Sequence, residues 1–308
     1  MQKPASKLTL LPLLLVVAFL ASCQPQPEEQ APQEDDITLS LNAYSFSDLM
    51  LAKDRRNNQQ MYSLFHLMDW CATQDIKALD PTAYFFPTYP EVPTDEYLAK
   101  FKHYADSLGI AISGTGVRNN FASPDSTIRA EGVQLAKAWI VAASKIGAPV
   151  LRVFAGAIPE GYEDNWEVPA QWMIDCYKEL LPLAEQYNVK IGIQNHGEML
   201  QTAEECLYVM KAIDSEWVGI IVDTGNFKTK DPYKDIAEVA PYAVNWQVKD
   251  YPYGRTNNER TDFARLVKII RESGYKGYLP VETLLVRGQP YDPFVMVPDM
   301  INELKKAM

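Results

Sequence analysis

"IGIQNHGE", Ile191 to Glu198, decides the fold. It starts as a buried strand does, with isoleucines and glycine, and ends in Gln194, Asn195 and His196. All three hydrogen-bond readily or bind metal. Such groups are costly to bury without partners. A strand that ends in them predicts a sheet whose strand ends open onto a site.

Reading outward, the same shape recurs. "ITLSLNAYSF", "DIKALDPTAYFF", "GIAISGTGV", "PVLRVFAG", "VGIIVDTGN", "AVNWQVKD" and "GYLPVETL" are the other strand candidates, with amphipathic stretches between them. Gly109, Gly147 and Gly274 follow helical patterns, and Thr94, Thr202 and Thr261 precede them as expected N-caps. Eight strands each followed by a helix predict an α/β fold, a single-domain (β/α)8 TIM barrel. The competing arrangement is an open doubly wound sheet. The count of eight, with no Gly-rich phosphate turn after the first strand, favours closure.

In such a barrel the site lies at the C-terminal ends of the strands, where side chains alternate in and out. Gly192, Gln194 and His196 then share one face in the fifth strand, with Asn195 on the other. Asp223 ends the sixth. Asn245, Gln247 and Lys249 share a face in the seventh, Glu282 ends the eighth, and Arg152 interrupts the fourth. Each has a plainer reading. Asp223 and Glu282 serve equally as helix caps or salt-bridge partners, Lys249 as a solvated loop lysine, and Arg152 as a bridge between acids. His66 and His103 lie on helical patterns and read as structural or exposed. Tyr84 reads as core or as a wall for a sugar ring.

The chain has 308 residues, 47% hydrophobic, with a formal charge of -11. That balance excludes nucleic acid as a partner. Lys3 and Lys7 precede the apolar "LTLLPLLLVVAFL", too short to span a bilayer. "LASC", Leu20 to Cys23, resembles a bacterial lipobox. Residues 1–22 are therefore expected to be a lipoprotein signal peptide and Cys23 the lipidated residue. Residues 23–36 read as a disordered tether and 37–308 as the barrel. This implies an exported, membrane-anchored lipoprotein, in the periplasm or on the outer-membrane leaflet. Cys71, Cys176 and Cys206 lack metal spacing and are expected to be buried free thiols.

"LRVFAG", "IGIQNHGE", "VDTGNF", "WQVKD" and "GYLPVETL", in this order, resemble the xylose-isomerase-like TIM barrels, the sugar phosphate isomerase/epimerase superfamily. The resemblance implies one divalent metal held by Glu, Asp, His and Glu at the ends of strands five to eight. Carried over, these positions are Gln194, Asp223, Gln247 and Glu282. Two of the four are amides, so the implied site is oxygen-only and suits Mg2+ or Mn2+. The alternative is a barrel that has lost its metal, with the amides bonding a sugar directly. The apurinic endonucleases share the barrel but bind zinc largely through His, and this chain has three His.

The implied substrate is a small sugar or keto-glycoside. Tyr84, Arg152 and Asn226 are expected to bind it, and His196, Lys249 and Glu282 to act on it. Gln194 cannot take a proton near neutral pH, which weakens two-base epimerisation. One-sided proton removal α to a ketone remains, by Glu282, by His196, or by Lys249 if burial lowers its pKa. Three readings follow: a lyase or hydratase on 3-keto-glycosides or 2-hydroxy-3-keto-glucal, a keto-sugar isomerase or epimerase, and a non-catalytic sugar-binding lipoprotein.

Overall fold

The computed structural model describes residues 37–53, 60–197, 199–251, 260–285 and 290–308. Cys23, the leader, the tether and Glu198 lie outside the described residues. All described residues belong to one compact unit.

Among the described residues nine strands carry the sheet: β1 (Ile37–Asn42), β2 (Ala78–Asp80), β3 (Ala111–Ile112), β4 (Thr115–Gly116), β5 (Val150–Phe154), β6 (Lys190–Gln194), β7 (Val218–Asp223), β8 (Ala243–Lys249) and β9 (Gly277–Glu282). Every pairing is parallel, in the order β3-β2-β1-β9-β8-β7-β6-β5-β4. The two ends of this sheet, β3 and β4, are consecutive pieces of one expected strand. β3 pairs with β2 and β4 with β5, so the chain itself nearly closes an eight-staved barrel.

The break falls at Ser113 and Gly114. Asn245 Nδ2 donates to the Ser113 carbonyl at 3.0 Å, and a Cβ on Gly114 would meet that nitrogen at 2.7 Å. Only glycine lets β8's side chain reach across the barrel here. The contact spans 132 residues of sequence, and local pattern carries no sign of it.

Helices cover the outside: α1 (Ser47–Leu51), α2 (Leu64–Thr73), α3 (Asp95–Ser107), α4 (Ser126–Ile146), α5 (Glu167–Tyr187), α6 (Ala203–Ile213), α7 (Pro232–Val239), α8 (Phe263–Glu272) and α9 (Pro293–Ala307). Thr94 and Thr202 cap α3 and α6 as expected. Thr261 does not cap α8. Asp262 does, because the Thr261 hydroxyl is spent on the Lys249 carbonyl, 2.7 Å away. His66 completes a capping box on α2 by accepting from the Ser63 N–H, and His103 is exposed. Both histidines are structural or solvated.

The strands bury both faces. Leu41, Leu79, Val153, Ile193, Val222, Val248 and Val281 join the apolar core with Ile140, Leu180, Val209 and Leu266 of the helices. Ser40, Asn42, Arg152, Gln194, Gln247 and Glu282, one position away, are buried polar residues. Alternation with a period of two thus separates a packed outer layer from a polar interior. Cys71, Cys176 and Cys206 are free and buried. No helix among the described residues is long and apolar enough to cross a membrane.

Candidate active site

Register assembles the site. Phe154 pairs with Gln194, Gln194 with Ile221, Asp223 with Gln247, and Glu282 with Lys249. A register shift between Ile220 and Ile221 leaves one extra residue on β8, since their partners are Ala243 and Asn245. This bulge puts Asn245, Gln247 and Lys249 in phase with Ile221 and Asp223. Gln194, Asp223, Gln247, Lys249 and Glu282 therefore gather at the strand ends, each at most 7% exposed.

Asp223 is held from several sides. Its Oδ2 accepts from Gln194 Nε2 at 2.6 Å, and its Oδ1 from the Gly225 N–H at 3.0 Å. Asn195, on the opposite face of the chain, clamps the Asp223 backbone with two hydrogen bonds of 2.9 and 2.7 Å. That is a structural role, and it answers why an amide follows Gln194. Lys249 Nζ donates to Glu282 Oε1 and lies 3.5 Å from Asp223 Oδ2.

Lys249 is no solvated loop lysine. Nor is its pKa lowered, as action as a base requires. Burial presses it down, but Asp223 and Glu282 outweigh burial and raise it. Lys249 stays an ammonium.

The other wall comes from β2, β5 and the turns after them. Arg152 is 5% exposed, with its guanidinium 4.2 Å from the centre of the Phe154 ring. Its hydrogen bonds are long, 3.4 Å to the Tyr84 hydroxyl and 3.5 Å to the Val117 carbonyl, and its Nε has none. His196 lies beyond the end of β6, where its N–H turns back to the Gln194 carbonyl at 2.8 Å. Strand alternation does not reach it, so it stands at the mouth and not in the interior. Its ring packs 4.7 Å from that of Phe154. Protein crowding, then Arg152 and Lys249, lower its pKa to about 4. Its solvent-facing side weakens that pull, and the imidazole is neutral at neutral pH either way.

These walls enclose a cavity of about 750 Å³. Tyr84, Arg152, Gln194, His196, Asn226, Gln247, Lys249 and Glu282 line it, with Asp223 directly behind. The sequence reading missed Arg118, Lys228 and Asp250 on the same surface. It also missed Asp80, buried at the end of β2. Burial raises its carboxyl to about 7, against the pull of Arg152 and with a push from Glu282. A strand ending "ALD" was the available signal.

Residues 69–293 match the family described as xylose isomerase-like TIM barrel. The chain belongs to this family. A D-tagatose 3-epimerase-like protein of known structure superposes with a TM-score of 0.68 at 20% identity, covering 87% of this chain and 97% of its own. A 3-keto-D-glucoside 4-epimerase from E. coli does so at 0.65 and 12% identity, covering 89% and 100%. So does the IOLI protein with a binding zinc atom, at 0.65 and 15%, covering 88% and 96%. At these identities the likeness establishes the fold. An uncharacterized protein of Methanocaldococcus jannaschii is 24% identical over 181 residues, which are 54% of this chain and 62% of that protein.

The four positions where family resemblance expects a metal do come together, but they do not fit a divalent ion as they stand. Gln194 Oε1 and Gln247 Oε1 are buried without partners, which favours a cation. The carboxylates decide otherwise. Glu282 Oε1 and Asp223 Oδ2 already share the Lys249 ammonium, and Gln194 presents its NH2 to Asp223, not its oxygen. An ion would have to displace Lys249. Among the described residues no three His, Cys, Asp or Glu side chains are grouped to hold a metal.

Proposed function

We propose that this cavity takes a keto-sugar and removes the proton α to its ketone, as a lyase or hydratase on 3-keto-glycosides or 2-hydroxy-3-keto-glucal. The observation that carries the reading is the asymmetry across the cavity. Glu282, a carboxylate, lines one side beside the Lys249 ammonium. Three strands along the sheet, the end of β6 offers the amide Gln194, which exchanges no proton. Inversion at a carbon needs protons handled on both faces of a planar intermediate. Elimination and hydration need one base near C2 and one proton-transfer group near C1.

Glu282 takes the C2 proton, and Lys249 donates to the ketone oxygen as negative charge grows there. In hydration neutral His196 accepts a proton from the water that adds to C1, and that proton reaches C2 through solvent and Glu282, which ends as the carboxylate it began as. Elimination runs the reverse: Glu282 takes the C2 proton and passes it through solvent to His196, which gives it to the aglycone oxygen as the C1–O bond breaks. Arg152 and Tyr84 bind the far side of the sugar, and Gln194, Gln247 and Asn226 meet its hydroxyls. Export and anchoring through Cys23 complete the proposal, since an exported chain meets glycosides more readily than sugar phosphates. Cys23→Ala is expected to release the protein from membranes.

A keto-sugar epimerase is the second reading, favoured by the fold shared with the 3-keto-D-glucoside 4-epimerase. NMR on a panel of 3-keto-glycosides, the glucal and free ketoses separates the two. Aglycone release or glucal hydration, slowed roughly 10²-fold by His196→Ala, supports the lyase or hydratase. Inversion of a ketose without either supports the epimerase, and binding without turnover supports a silent receptor.

A further inference from the structure

We propose that the Lys249 ammonium is the resident cation of this site, in the place where family resemblance calls for a divalent metal. Its Nζ bonds Glu282 Oε1 and lies 3.5 Å from Asp223 Oδ2, and all three side chains are buried. One positive group bridges two buried negative ones. Unpaired, two such carboxylates would repel strongly in this environment.

Gln194 completes the substitution. A carboxylate at 194 would repel Asp223 and demand a cation between them. The amide instead donates to Asp223 Oδ2 at 2.6 Å. Two carboxylates and one ammonium leave one net negative charge. Three carboxylates around a divalent ion leave the same.

The backbone is built to hold the lysine there. Its N–H donates to Thr224 Oγ1 at 2.8 Å, and its carbonyl accepts from Thr261 Oγ1 at 2.7 Å. Its stem crosses Gly225, where a Cβ would come within 2.7 Å of Lys249 Cγ. The missing side chain at 225 reserves the path.

An ammonium offers N–H donors and one charge, with no coordination shell in which to ionise water. The cation therefore serves the substrate's own oxygen, and catalysis proceeds in chelator. This inference rests on the geometry of the strand ends and not on which sugar is bound, so it fails or stands apart from the proposed reaction.

Mn2+ is the probe, titrated into the purified full chain by calorimetry with melting temperatures in parallel. Wild type is expected to bind no stoichiometric Mn2+ and to melt unchanged. Lys249→Met combined with Gln194→Glu vacates the position and restores a third carboxylate. It is expected to bind one equivalent and to melt higher with Mn2+. Stoichiometric Mn2+ on wild type overturns the proposal, as does a folded double variant that takes none. If the double variant does not fold, the wild-type titration decides alone.

Discussion

The two walls of the cavity treat charge differently. On the β6–β9 wall, Asp223, Glu282 and Lys249 are paired with one another, and Gln194 and Gly225 satisfy Asp223 further. On the β2–β5 wall, Arg152 has only long hydrogen bonds and an unpartnered Nε, and burial raises the Asp80 carboxyl to about 7. The charges of the first wall are paired by the fold, while the neutral amide oxygens of Gln194 and Gln247 stay unpartnered. The charged groups of the second are left short of partners, and buried polar groups left so are ones a ligand satisfies. Stability should therefore depend on the first wall and ligand affinity on the second.

Lys249→Met attacks the first wall and should have the largest effect. It leaves two buried carboxylates without their cation, at a cost of about 3–5 kcal/mol in chemical denaturation. A change near zero would show the ammonium to be dispensable.

Asp80→Asn should shift stability in a pH-dependent way. The Asp80 carboxyl rises from 3.8 to about 7 on folding. A raised acid is fully stabilising below the unfolded value and loses that contribution as pH climbs through the folded one. The amide has no such loss. The variant should thus gain on wild type by about 1.4 kcal/mol per pH unit between roughly pH 4 and 7, then level off. Parallel denaturation curves at several pH values check this, and a constant difference contradicts it.

Gly225→Ala presses on the Lys249 stem and should cost about 1–3 kcal/mol. Arg152→Met should be the mildest, within about 1 kcal/mol of wild type, because it removes a buried charge with poor partners. Its effect should appear in substrate affinity. A large loss of stability from Arg152→Met would erase the contrast between the walls.

Much of the first wall is legible in sequence. "IGIQ", "VGIIVD", "NWQVK" and "LPVE" alternate regularly, and a parallel barrel brings such strand ends together whatever the details. Gln194, Asp223, Gln247, Lys249 and Glu282 follow from that alone. What alternation does not carry is pairing. Whether Lys249 meets solvent or Glu282 depends on the register of β8 against β9, and on a bulge with no composition of its own. The other wall is less legible because its strands are short or broken. β2 has three residues and β4 has two, too few for a periodic signal. Asp80 is a single acid before a proline, and Arg118 and Lys228 reach the cavity from outside the strands. His196 was placed by extending alternation two residues past the end of β6, where the backbone has already turned.

One-sided proton removal beside Glu282, with Lys249 as the cation, is tested by NMR of 2-hydroxy-3-keto-glucal incubated in D2O with strong chelator. Wild type is expected to form a hydrated product carrying deuterium at C2, and Glu282→Gln to slow it roughly 10²-fold or more. An unhydrated glucal, or hydration that appears only when a divalent metal is added back, would contradict it.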